Sequence, residues 1–242
     1  MPFLVFDIET VPDNKLWTPA PPKPRARVKK DEFAPLYAHR PIVIGYALFD
    51  DNLLLQNLGA VANDNEPQLI EQFSEFFARQ QATLVTFNGR GFDVPVLNLR
   101  ALRHGLDQRY YGPAHRRKYD EENHLDLMAA LTDHGALGRS GFSLGTLSTV
   151  IGLGGKSDFD GSMVAAEYAK GGIEKIRAYC CQDLARTGFL LMRYLLMRGR
   201  LTLDQYRAAA NALFDYCLAN KFDGVLFGAD RARVCLDAPA AA

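Results

Sequence analysis

The run Phe3-Leu4-Val5-Phe6, continued by Ile8, is apolar at successive positions rather than alternate ones. A strand built from it buries both of its faces, which requires a covering layer on each side. That excludes a two-layer arrangement with this strand facing water and points to a sheet sandwiched by helices. The strand then ends on two carboxylates, Asp7 and Glu9. Side chains alternate along a strand, so these two share one face while Ile8 packs on the other.

The rest of the chain supplies the missing layers. Ile42 to Phe49 predicts a second strand, and Leu53-Leu54-Leu55, after the turn cluster Asp50-Asp51-Asn52, predicts its hairpin return. Residues 68–79 carry apolar side chains at helical spacing, Thr83 to Phe87 predicts a strand, and a helix is expected near Pro95. His124-Leu125-Asp126-Leu127 reads as a fifth strand or a helix entry. Helices are expected from Ser143 to Ile151, closed by Gly152, from Ile173 to Arg198, and from Leu203 to Leu218. The expected fold is α/β, with a mixed sheet of about five strands, an opening antiparallel hairpin and helices on both faces. Residues 1–200 are expected to form the main domain, followed by a C-terminal helix and a flexible tail over 201–242.

Composition limits the function classes. The chain has 242 residues, 48% of them hydrophobic, with 28 Lys+Arg against 28 Asp+Glu. Disorder and collagen-like repeats do not fit, and no stretch approaches the roughly 20 apolar residues of a membrane-spanning helix. No secretory signal is read at the start, and the spacing of Cys180, Cys181, Cys217 and Cys235 matches neither a zinc site nor a disulfide scaffold, so the expected location is cytoplasmic. The balanced charge hides two basic segments: the proline-rich residues 19–30, and the stretch from Arg100 to Lys118, either of which could guide a phosphate backbone.

Three constellations carry chemistry. Asp7 and Glu9 place two oxygen-donor groups together, a set suited to magnesium or manganese; a solvated strand end is the structural alternative. Asp93 follows the glycine-containing turn Asn88-Gly89-Arg90-Gly91-Phe92, where the backbone can approach a ligand closely; a helix N-cap is its alternative. Tyr179 and Asp183 lie four apart in the long helix, on one face; a core tyrosine beside a solvated acid is the alternative. Asp126 is a rival acid after a strand-like run, fit to orient its neighbours.

Asp7-x-Glu9, Asn88-x-x-x-Phe92-Asp93 and Tyr179-x-x-x-Asp183 resemble, in order, the three exonuclease motifs of the tyrosine-containing DEDD (DEDDy) superfamily branch. FDIET, NGRGFD and YCCQD are similar to the proofreading exonuclease domain of family B DNA polymerases and to the stand-alone bacterial proteins related to it. The resemblance spans residues 1 to about 200. The histidine branch would need a histidine at Ala178. The resemblance implies a ribonuclease H-like fold and a 3′→5′ exonuclease using two divalent cations, Mg2+ or Mn2+. It implies that Asp7, Glu9 and Asp183 hold the ion that carries the nucleophile, that Asp7 bridges to the second, that Asp93 helps through bound water, and that Tyr179 orients the attacking water. It also implies nucleic-acid contacts from Thr10, Asn88 and Phe92, and, in elements resembling those that touch single-stranded DNA and the scissile phosphate, from Ser143, Leu144 and Lys156.

The expected partner is a nucleic acid with a single-stranded or frayed 3′ end, DNA before RNA, and no membrane. An exoribonuclease and a non-catalytic nucleic-acid-binding module are the rival readings. A protein-interaction domain recruiting a partner through residues 19–30 is a third. Intact, mutually repelling acids count against a module without turnover.

Overall fold

The computed structural model describes residues 1–19, 33–108, 111–112, 114–138, 140–154 and 159–237. The basic loop, Lys156 and the last five residues fall outside these, apart from Pro19 at the loop's start.

Five strands form one mixed sheet: β1 (Phe3–Pro12), β2 (His39–Phe49), β3 (Leu55–Ala62), β4 (Thr83–Thr86) and β5 (His124–Asp126). Their order is β3-β2-β1-β4-β5, with β1 in the centre. β2 runs antiparallel to both β1 and β3, whereas β4 lies parallel to β1 and β5 parallel to β4. The expected hairpin joins β2 to β3, but the second strand starts later than the leucine run suggests. Leu53 takes a positive φ of 61° inside the turn and buries its side chain in the core, and the ladder resumes at Leu55.

The doubly buried character of β1 is met as its sequence requires. Leu4, Phe6 and Ile8 pack with α1 (Glu66–Gln80) and α2 (Asp93–His104) through Leu69, Ile70, Phe73 and Leu97. Phe3 and Val5 face the opposite layer, where α6 (Ile173–Met197) contributes Leu184, Ala185, Phe189 and Leu191. Three short helices, α3 (Leu127–Leu131), α4 (Leu144–Val150) and α5 (Val164–Ala169), flank this layer. After α6, α7 (Leu203–Ala219), α8 (Asp223–Leu226) and α9 (Arg231–Cys235) bury Tyr206, Leu213, Val225 and Val234 in the same cluster as α6.

α6 approaches the sheet closely because two contact positions are glycines. A Cβ on Gly45 would lie 2.5 Å from Cys180 Sγ and 2.8 Å from Leu184 Cδ1, and one on Gly188 would lie 2.8 Å from Phe49 Cζ. Gly45 is the register partner of Asp7, so this close approach falls where β1 carries its first acid.

Arg100, expected in a basic surface segment, is buried at 1% exposure. Its guanidinium pairs with Glu66 at the start of α1 and reaches Asp13, just past β1, at 2.8 Å. Two carboxylates offset the cost of burying this cation, which is therefore unavailable to a phosphate backbone. Arg116, Arg117 and Lys118 of the same segment remain exposed.

Two measurements test this packing. Gly45→Val should lower stability by about 1–3 kcal/mol through overpacking, read as a lower urea midpoint; an unchanged midpoint would mean α6 can shift freely. Arg100→Met should cost about 3–5 kcal/mol, because Asp13 and Glu66 then lose the buried cation between them and keep only the peripheral Arg103, 3.9 Å from Asp13, and His104, 3.1 Å from Glu66.

Candidate active site

The site grows from a mismatch in strand length. β1 pairs with β4 only over Phe3–Val5, so from Phe6 onward that edge of β1 has no strand neighbour. A crevice beyond the carboxyl ends of parallel strands is where α/β sheets bind ligands. The free edge is taken by α2: the Ile8 amide donates to Asp93 Oδ1 at 3.1 Å. Asp93 is the first helical residue, after the cap Phe92, whose side chain makes no cap bond; the Asp93 carboxylate accepts from its own amide as well as from Ile8.

The turn that delivers Asp93 is tightly specified. Asn88 has φ 66°, and a Cβ on Gly89 would meet Thr86 at 2.5 Å. Asp126, at the end of β5, accepts hydrogen bonds from the Asn88 amide at 3.0 Å, the Arg90 amide at 2.9 Å and the Ala129 amide at 3.1 Å. It thus caps α3 and holds the turn.

Asp7 and Glu9 face α6, as their alternation requires. A ligand atom from each lies within 4.8 Å of the other and of Cys180 Sγ. Asp183 reaches the same place from α6, and the Tyr179 hydroxyl hydrogen-bonds its carboxylate. Glu9 and Asp93 are buried, while Asp7 and Asp183 keep an opening to solvent. Phe159 packs edge-on against the Tyr179 ring at 5.2 Å between centroids.

This proximity has an electrostatic cost. Desolvation, followed by the charges of Asp93, Glu9 and Asp183, raises the Asp7 pKa well above the carboxylate range. Glu9 is raised by burial and then by Asp183 and Asp93. Burial raises Asp93 to about 7, opposed by its backbone hydrogen bonds. Asp183 is raised by burial, opposed by Tyr179 and Arg186. Burial and the neighbouring acids also raise Tyr179, which stays a neutral hydroxyl donor. Among the described residues, the only salt bridge made by any of the four acids is Asp183 with Arg186. Converging oxygen donors short of protein cations fit divalent ions of the Mg2+ or Mn2+ type.

The remaining sequence-expected residues occupy varied places. Thr10 follows a register shift in β1, and its Oγ1 lies 2.9 Å from His39 Nδ1. Phe92 meets the His39 ring edge-on at 4.9 Å and Phe33, 73% exposed, at 5.9 Å. Ser143 caps α4 by accepting from the Thr146 amide at 3.1 Å, and Leu144 packs against the α6 cluster. Lys156 lies outside the described residues. His39, Phe33 and Arg186 were not singled out from the sequence. Only Arg186 carried a local signal, its i,i+3 spacing from Asp183.

A family profile described as "Predicted 3'-5' exonuclease related to the exonuclease domain of PolB" matches residues 31–225. No curated protein matches the chain. Among solved structures, the family B DNA polymerase of the archaeon Pyrobaculum calidifontis superposes with a TM-score of 0.56 at 16% identity. The match covers 88% of this chain and 26% of the polymerase, so the chain spans about a quarter of that protein. E. coli exonuclease I, solved with a dA16 oligonucleotide, gives a TM-score of 0.43 at 14% identity over 73% of this chain and 41% of its own. The fold is ribonuclease H-like.

The raised carboxylates predict a pH effect with a defined sign. An acid whose folded pKa exceeds its unfolded value destabilises the fold as pH rises from the unfolded pKa through the folded one. For Asp93 that window runs from about 4 to about 7. The melting temperature in the presence of chelator should therefore fall across this range, and fall less in Asp93→Asn. A fall of equal size in both proteins would contradict the assignment.

Proposed function

The chain belongs to the family of 3′→5′ exonucleases related to the exonuclease domain of PolB, and from that premise we propose that it hydrolyses phosphodiester bonds at single-stranded or frayed 3′ ends of DNA, using two divalent cations, Mg2+ or Mn2+. The observation that carries this reading is the convergence of Asp7, Glu9, Asp93 and Asp183 on one crevice. A binding module has no use for four repelling acids, whereas a site for two dications does.

Asp7, Glu9 and Asp183 would hold one ion. Asp7 would be shared with the second, and Asp93 would contribute through water. When bound, two such ions lower the pKa of a water and stabilise the departing 3′ oxygen. The protein's own part is positional. Asp93 holds the end of β1 through the Ile8 amide. Tyr179, neutral and backed by Phe159, offers a hydroxyl that orients the attacking water.

The exposed Phe33 and the half-buried Phe92 offer rings on which bases of any sequence can stack, with the buried His39 ring packed behind both. Thr10, bonded to His39, and Asn88, whose carbonyl accepts from the Phe92 amide, are the polar groups of this proposed contact; Ser143 and Leu144 extend it, and Lys156 is carried as a contact from its sequence motif alone. DNA is preferred over RNA because the family is related to a DNA polymerase domain. No helix among the described residues is long and apolar enough to cross a membrane. All four cysteines are unpaired, which suits a reducing compartment such as the cytoplasm.

The test is a 5′-labelled oligonucleotide incubated with the protein and Mg2+ or Mn2+. Stepwise shortening is expected, abolished by chelator and by Asp7→Asn. Tyr179→Phe should lower kcat by about a hundredfold, the scale of a lost proton-handling or water-orienting group. Matched DNA and RNA strands decide the substrate. Metal-independent binding without shortening would favour the non-catalytic module.

A further inference from the structure

Arg186 lies one helical turn beyond Asp183, so the two side chains share a face of α6, with Arg186 Nη1 3.5 Å from Asp183 Oδ1. The residue is buried at 6% exposure, an expensive place for a cation unless it has a purpose. Its Nη2 donates to the Gly224 carbonyl of α8, and its Nε has no partner among the described residues. One planar guanidinium therefore links the last of the four acids to the Gly224 backbone oxygen, 38 residues beyond Arg186.

The segment that carries this oxygen is itself held. The Gly154 amide donates to the Val225 carbonyl at 2.9 Å, and the Asp230 amide donates to the Gly152 carbonyl at 2.9 Å. A Cβ on Gly154 would lie 2.2 Å from the Phe227 carbonyl oxygen, so the two segments are in backbone contact. On the other side, Thr187 Oγ1 donates to the Asp183 carbonyl at 2.8 Å and fixes the backbone there. The carboxylate is thus steered from a rigid base by a donor whose fork has a fixed direction.

We propose that Arg186 is the positioning residue for Asp183, its guanidinium anchored on the Gly224 carbonyl so that the α8 segment becomes part of the active-site frame. This rests on the reading of the four acids as a dication site. Two-point attachment is essential to it: a residue held only by charge would let the carboxylate swing. Partners that orient metal-binding groups carry effects of about 10–100-fold in affinity or activity.

The experiment uses the full chain as wild type, Arg186→Lys, Arg186→Met and Asp183→Asn. Mn2+ affinity is measured without nucleic acid by electron paramagnetic resonance of the free ion, alongside melting temperature and the separate kcat and KM on an oligonucleotide. Arg186→Met should weaken Mn2+ binding by about tenfold or more and lower kcat by a similar factor, leaving KM within about twofold. Arg186→Lys should recover only part of both losses. A folded Arg186→Met with Mn2+ affinity and kcat within about twofold of wild type overturns the proposal. Should Arg186→Met fail to fold, Arg186→Lys decides: wild-type affinity and kcat with only a lowered melting temperature would make Arg186 a structural cation and overturn its positioning role. If Asp183→Asn leaves Mn2+ binding unchanged, the dication reading itself falls and takes the proposal with it. Lost binding there beside an unaffected Arg186→Met removes the positioning role alone.

Discussion

Four carboxylates repelling one another inside a protein are the constraint around which this structure is arranged. Nothing about Asp7, Glu9, Asp93 and Asp183 favours their meeting in the absence of cations, so the scaffold must hold them against that repulsion. It does so by assigning each acid to an element fixed for other reasons. Two ride on the central strand, whose apolar residues lock it between both helical layers. One sits at the start of α2 and is held by a strand amide. The last lies in the longest helix, pressed against β2 where a glycine lets it approach. The hydrophobic core thus supplies the work that crowds like charges together.

The shortness of the β1–β4 ladder is equally consequential. Had β4 followed β1 to its end, the Ile8 amide would have been used in a rung of the sheet. Because pairing stops at Val5 and Val85, that donor is free to receive Asp93. The same break separates the strands enough for the Asn88–Phe92 turn to enter, and Asp126 braces that turn from the next strand.

Much of this was legible in the sequence because local pattern and tertiary role coincide. The continuous apolar run before Asp7 announced a doubly covered strand, and the alternation within Asp7-Ile8-Glu9 put the acids on the face that α6 covers. The long helix carrying Tyr179 and Asp183 was set by its own periodicity. What escaped was whatever depends on distant partners. Arg100 looked like one more exposed arginine, since nothing local reveals that Asp13 and Glu66 close over it from other elements. His39 gave no sign that it would stand between Thr10 and Phe92. Leu53 read as strand because an apolar residue in a left-handed turn is chosen by the core beneath it, not by turn chemistry.

α2 is fastened to β1 at two separate places. Asp93 grips Ile8 at its first residue, and Arg100, two turns later, grips Asp13 beyond the strand's end. A helix secured at both ends behaves as a strut, and the span of strand between its attachments is the span that carries Glu9. Disorder in that stretch has therefore already been removed by folding. Incoming ions and the end of a nucleic acid meet a frame whose shape is set beforehand, so little of their binding energy is consumed in building it.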